Sequence, residues 1–234
     1  MRRRVQVERS GDRVTRLAII YTNFGIVDML KLLADEMLPG VEVVNIVDDS
    51  LLNDARASGV EGGVGARMQR YFDAAEATGA SVILNSCSSV GATVDAARGR
   101  LGVPVLKIDE PLADEAIRHG KRVAVLATVE STLKPTCELI EAKARESGAD
   151  IEIGTFLCEG GLELFLAGRV VEHNQRVAET ARAAAEDHDV IVFAQGSMSA
   201  AVRAAQEIVS VPVLSSPVLA LERIKSMLGS EARG

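Results

Sequence analysis

The side chain best suited by type and setting to proton-transfer or covalent chemistry is Cys87, in the segment Asn85-Ser86-Cys87-Ser88-Ser89. A thiolate takes a proton from a carbon beside a carboxylate, or adds to an electrophilic carbon. It forms near neutral pH where a helix N-terminus and free N–H groups favour negative charge. Free cysteines are more often packed in cores. Here the neighbours are serine and asparagine, directly after the apolar run 82–84, an order that puts the thiol at the open end of a strand. Cys137 lies in the helix-period stretch TLKPTCELIEAKA and reads as packing. Cys158 closes a strand and is a lesser candidate for the same site.

Three other loops share the polar character of this one. They are Tyr21-Thr22-Asn23-Phe24-Gly25, Thr128-Val129-Glu130-Ser131-Thr132 and Gln195-Gly196-Ser197-Met198-Ser199. Each follows an apolar run and precedes a helix-period segment, so hydroxyls, carboxamides and free amides converge where an anion is favoured. The pattern suits a small carboxylate. The candidate contacts are Thr22, Asn23, Asn85, Ser88, Ser89, Thr128, Glu130, Ser131, Gln195 and Met198. Ordinary N-capping is the competing use for Thr22, Ser88, Ser131 and Ser199. Asp48, Asp49, Ser50 and Asn53 follow another strand and are either substrate contacts or solvated turn residues. Asp109 and Glu110 read as acids at a helix N-terminus.

The elements that must position these loops alternate along the chain. Apolar, β-branched runs occur at 17–22, 41–47, 81–86, 103–108, 122–128, 151–157, 189–195 and 211–216. Continuous runs of this kind suit parallel strands covered on both faces. Helix-period segments lie at 26–38, 61–78, 90–100, 111–119, 131–147, 170–186, 198–208 and 217–228. The alternation predicts a doubly wound α/β fold. The chain also repeats itself. RLAIIYTN (16–23) matches RVAVLATV (122–129), and VEVVNIVDDSLL (41–52) matches IEIGTFLCEGGL (151–162). VILNSCSS (82–89) lies over VFAQGSMS (192–199), and VPVLKIDEP (103–111) over VPVLSSPVL (211–219). Two pseudo-symmetric halves follow, with strand ends on opposite walls of one cleft; ligands of open α/β sheets sit at such ends.

Composition narrows the partners. The 234 residues are 47% hydrophobic and 25% charged, a globular balance, and the net charge of −7 comes without any basic patch. This argues against nucleic acid and against a membrane surface. No apolar run reaches the ~20 residues of a membrane helix, and no apolar stretch follows the basic start MRRRVQVERSGDR. Three cysteines make no disulfide framework, so a reducing, cytoplasmic setting is expected. His119 and His188 read as helix ends, His173 is a minor candidate, and no spacing suggests a metal. The segment GVEGGVGARM (59–68) lacks the features of a phosphate loop and reads as a flap or turn over the cleft.

Taken in order, the CSS loop after its strand, VPVLKIDEP, the RVAVLAT-x-x-ST turn and the final VPVLSSP resemble the aspartate/glutamate/hydantoin racemase superfamily. The resemblance covers about residues 16–228. That superfamily also contains maleate isomerase and arylmalonate decarboxylase. It implies two Rossmann-like halves with parallel sheets and an active site in the interdomain cleft, formed by residues 16–111 plus 213–234 and by residues 112–212. Residues 1–15 remain as a tail. The racemases of the superfamily place one cysteine on each side of the substrate carbon. Cys87 matches the first, and the repeat sets Ser197 at the second, with the Met198 N–H and the Gln195 carboxamide as oxyanion donors. A serine hydroxyl is a weak acid without a base to activate it. The resemblance therefore implies a cofactor-independent isomerase or racemase-like enzyme for a small carboxylate, with Cys87 and Ser197 as catalytic candidates. Alternatives are a decarboxylase or lyase of a malonate-like acid, and a binding protein that has lost catalysis. No metal or cofactor is expected, and a homo-oligomer is.

Overall fold

The computed structural model describes residues 14–61 and 63–231. Most of the expected tail lies outside them. Two four-stranded sheets form, each wholly parallel. The first contains β1 (Arg16–Tyr21), β2 (Glu42–Val47), β3 (Val82–Asn85) and β4 (Val105–Lys107), in the order β2-β1-β3-β4. The second contains β5 (Arg122–Ala127), β6 (Glu152–Leu157), β7 (Val190–Phe193) and β8 (Val213–Ser215), in the order β6-β5-β7-β8. The inner strands β1, β3, β5 and β7 are apolar almost throughout and buried on both faces. The outermost β2 and β6 carry Glu42, Asn45 and Glu152 at exposed positions.

Among the described residues ten helices cover the sheets: α1 (Val27–Met37), α2 (Leu51–Ser58), α3 (Val64–Ala77), α4 (Ala92–Arg98), α5 (Glu110–His119), α6 (Glu130–Ser147), α7 (Gly161–Leu166), α8 (Val170–Ala185), α9 (Val202–Gln206) and α10 (Ser216–Glu231). The sequence pattern omits α2 and α7, which are too short for a clear period. Its segment 198–208 is a 3₁₀ turn (Gly196–Ala201) followed by α9, and a second 3₁₀ turn (Ser88–Val90) precedes α4. The expected flap is the α2–α3 turn, where Gly59 (φ 71°) closes one helix and Gly63 (φ 93°) opens the next. Both need the left-handed region that glycine enters without penalty.

Each sheet is sandwiched, and each borrows a helix that follows the other in the chain order. In the first half, Leu17, Ile19, Leu84 and Leu106 pack with α1 and with Ala220, Leu221 and Ile224 of α10. Its other face, Ala18, Ile20 and Ile83, packs with Met68 and Phe72 of α3 and Val94 of α4. In the second half, Val123, Val125, Val190 and Val192 pack with Leu112, Ala113 and Ala116 of α5 and Ile140 of α6. Ala124, Leu126, Ile191 and Phe193 pack with α8 and the 196–201 turn. A division drawn at residue 213 gives β8 to the first half. Hydrogen bonding instead pairs Val213–Ser215 with β7, and only the helix beyond joins the first sheet.

The repeat is real in register, with one correction. Leu17 pairs with Val82 as Val123 pairs with Val190. Ser86 N–H donates to Ile20 C=O at 3.1 Å, and Ala194 N–H donates to Leu126 C=O at 2.9 Å. The third strands therefore align two residues away from the match of serine-rich loops. The position mirroring Cys87 is Gln195, and Ser197 mirrors Ser89.

Candidate active site

Cys87 stands two residues beyond β3, half-buried, in extended backbone (φ −132°, ψ 117°) at the start of the 3₁₀ turn. Gln195 holds the same place after β7, with φ −132° and ψ 139°. Each turn closes the same way: Val90 N–H donates to Cys87 C=O at 3.3 Å, and Met198 N–H to Gln195 C=O at 3.1 Å. The turns meet the opposite half. α6 packs against Ser88–Val90, while a Cβ on Gly196 would lie 3.5 Å from Ile26 and 3.9 Å from Met29 of the first half.

Around Cys87 the first half leaves polar atoms without partners. Thr22 is buried at the end of β1, and its Oγ1 has no hydrogen-bond partner among the described residues. Asn85 is fully buried; its Nδ2 donates to Cys87 C=O at 2.9 Å, and its Oδ1 is unpartnered. Asp109, just past β4, is buried with Oδ1 unpartnered. These atoms lie at the carboxyl ends of three adjacent strands. Leaving a buried polar atom unpaired costs about 1–3 kcal/mol, so three at adjacent strand ends make this edge the candidate site.

The capping alternative fails for this set. No side chain caps α1, the 88–90 turn, α6 or the 196–201 turn. Asn23 folds its Oδ1 onto Gly25 N–H at 2.8 Å, and Ser199 Oγ lies 2.5 Å from Ser215 Oγ. Ser89, Glu130 and Ser131 are exposed at the starts of their helical turns, and Ser88 and Ser197 are half-buried.

In the second half the loops after β5 and β7 close on each other, while His173 Nε2 and Asn174 Oδ1 of α8 are buried without partners. Gln195 Oε1 accepts from Thr128 N–H (2.6 Å), Thr128 Oγ1 (3.0 Å) and Val129 N–H (3.2 Å). A Cβ on Gly161 would sit 2.8 Å from Thr128 Cγ2 and 3.0 Å from Cys158 Sγ, so this end is tightly filled. Met198, expected as a contact, is fully buried in the second core, and its N–H is already donated to Gln195, which corrects its place as an oxyanion donor. Ser197 is corrected likewise as the mirror of Cys87.

The other cysteines are less available for chemistry. Burial, then Glu141, pushes the Cys137 thiol up. Burial pushes Cys158 up against the opposing hydrogen bond from Thr180. Asp48 is also a structural group. It accepts from Ser50 Oγ (2.7 Å), Tyr71 OH (2.6 Å) and Arg67. Against the cost of burial, Tyr71 and Arg67 hold its carboxyl well below the usual range. His173 is fully buried, with Nδ1 2.8 Å from Gly161 C=O, and it packs against Phe165. Among the described residues no cluster of three potential metal ligands occurs, and no helix is long and apolar enough to cross a membrane.

Sequence logic did not see that Asp109 is buried at the strand end beside Asn85, and it set Gln195 opposite Asn85 rather than opposite Cys87. The signal available for Gln195 was the identity of the strands themselves: Val82-Ile83-Leu84 matches Val190-Ile191-Val192 better than it matches residues 192–194.

Solved structures share this architecture. Allantoin racemase from Klebsiella pneumoniae superposes with a TM-score of 0.73 at 17% identity, over 93% of this chain and 89% of that one. Glutamate racemase from Bacillus anthracis gives 0.69 at 15% identity, over 94% and 84%. An aspartate racemase homologue from Pyrococcus horikoshii gives 0.62 at 16% identity, over 92% and 99%. At these identities the likeness is one of fold. A search of curated proteins finds no match. The family model for Asp/Glu/Hydantoin racemase matches residues 22–224, a span that holds Cys87, its mirror Gln195 and every strand but β1 in full, and the chain belongs to that family.

Proposed function

We propose that this chain moves a proton at a carbon beside the carboxylate of a small acid, as a cofactor-independent isomerase of the racemase kind, with Cys87 as the acid/base. The observation that carries this is the half-buried thiol set beside the unpartnered Thr22 Oγ1 and Asn85 Oδ1. A base flanked at adjacent strand ends by unpaired polar atoms is preorganised to orient a polar substrate and stabilise the enolate that proton removal creates. Ser88 and Ser89 add hydroxyls on the same turn, and Glu130 and Ser131 begin the helix that packs against it.

The Gln195 carboxamide favours a second reading of the same site. A carboxamide is neither acid nor base near neutral pH, so only one face of the carbon meets a titratable group in the mirrored pair. One-sided protonation of an enolate is what a decarboxylase of a malonate-like acid requires. The test is incubation with candidate acids in deuterated water, followed by proton NMR. Exchange of the α-proton supports the isomerase, and carbon dioxide release with a single deuterated enantiomer supports the decarboxylase. Neither signal, across amino acids, ureides and substituted malonates, would remove both.

A further inference from the structure

The outer face of α8 carries charges that the fold of one chain leaves largely unused. Arg169, Glu172, Arg176 and Glu179 are all exposed and follow one another at spacings of three, four and three. At about 3.6 residues per turn this spacing draws them into one line along the helix. Among the described residues, the one ion pair within this line joins Arg169 to Glu172. Arg176 donates instead to Glu159 C=O at 3.2 Å, and Glu179 is left without a cation. With Leu164 and Ala167 the four charged residues line an open groove of about 630 Å³ between α7 and α8. At the corner where α7 passes into α8 stand Leu166, Val170 and Val171, exposed by 74%, 45% and 70%. They are three of the eight large apolar side chains exposed among the described residues. Single exposed apolar residues are ordinary, whereas a cluster in one corner marks a contact surface.

The order of these charges is palindromic with the sign reversed. About position 174, Arg169 mirrors Glu179 and Glu172 mirrors Arg176. A twofold axis crossing α8 at that point, with a second α8 running antiparallel, sets every arginine against a glutamate of the other copy. Parallel helices in register would set like charge against like. We propose that this face of α7 and α8 docks on the same face of a second copy of this chain, α8 against α8, with Arg169–Glu179 and Glu172–Arg176 as the pairs between copies. The three-four-three spacing is that of a helix-pairing seam. A crossing angle of about 20° keeps two such seams together over about three turns. The apolar corners lie at the two ends of the contact, one from each copy. Exposed charge pairs select the partner and its direction more than they add affinity, and salt weakens them.

Sedimentation velocity tests this between about 5 and about 200 µM protein, in about 50 mM and about 500 mM salt. The native protein is expected to sediment as a dimer at low salt and to dissociate about tenfold more readily at high salt. Glu172→Arg sets two guanidinium groups against each other across the axis, and Arg176→Glu sets two carboxylates. Each single variant should therefore weaken the dimer about tenfold or more. The double variant E172R/R176E exchanges both signs and should associate as the native protein does. Loss of the pair with Arg169 is common to E172R and the double variant, so it cannot produce that recovery. Circular dichroism checks that each variant is folded. As a second measurement, Gln175→Cys on the same exposed face is treated with a short bismaleimide, and peptide mapping should find the two substituted positions joined. A native protein that stays monomeric throughout overturns the inference. So does a dimer that either single variant leaves intact, since it would use another face, and so does a double variant that fails to recover.

Discussion

The two halves of this molecule share strand order, register and turn geometry, yet their matching strand-end loops treat polar groups in opposite ways. At the first sheet's edge, Thr22 Oγ1, Asn85 Oδ1 and Asp109 Oδ1 are buried without partners, around a half-open thiol. At the second, Gln195 consumes the donors of Thr128 and Val129, and Ser199 pairs with Ser215. Phe193 occupies the place that mirrors Asn85. The loops after β1, β3 and β4 thus keep unpaired polar atoms that the matching loops after β5 and β7 do not, while in the second half the unpartnered atoms are His173 Nε2 and Asn174 Oδ1 of α8.

The sharpest way to break this comparison is to remove the thiol. Cys87→Ala is expected to lower α-proton exchange by about 100-fold or more, the usual worth of a positioned acid/base. Proton NMR in deuterated water measures it, and unchanged exchange would move the chemistry elsewhere. Gln195→Cys tests the other half. It restores a titratable group at the mirrored position, so labelling of both product enantiomers should rise about tenfold from a native protein that labels one face. Equal labelling of both faces by the native protein would mean that the second half retains a base.

A third expectation concerns the thiols alone. Because burial raises Cys137 and Cys158, iodoacetamide should modify Cys87 about tenfold faster than either, as read by peptide mapping. Faster labelling at Cys158 would shift attention to the second half. The smallest effect belongs to the brace below the first site. Arg67→Ala frees Asp48 and should lower the urea midpoint slightly near neutral pH. The folded-state pKa of Asp48 is lowered, so this stability is present above the unfolded value of about 4 and is lost as pH falls toward the folded one. Urea midpoints of the native and R67A proteins should therefore converge in acid.

Much of this was readable from residue types. The inner strands announce themselves because both faces are covered, and the halves are visible because the same strands recur. Cys87 stands out because polar residues flank it. What failed did so for a physical reason. Small polar residues look alike in one dimension, so C-S-S was laid over S-M-S, whereas backbone hydrogen bonds fix register to the residue. Met198 reads as part of a polar loop, but a 3₁₀ turn rotates it into the core. The place of Asp109 at the strand end beside Asn85 depends on β3 pairing with β4, a neighbour relation that local pattern does not carry.

The exchange of helices between the sheets has a consequence for how the chain acquires its structure. Leu17 and Ile19 of β1 lie against Leu221 and Ile224 of α10, about two hundred positions later in the chain. During synthesis the first half therefore waits, with one face of its sheet incomplete, until α10 has emerged. α5, by contrast, stands ready before the sheet it covers. Contacts of such long separation make assembly slow and all-or-none, so the half that holds Cys87 is the last to close.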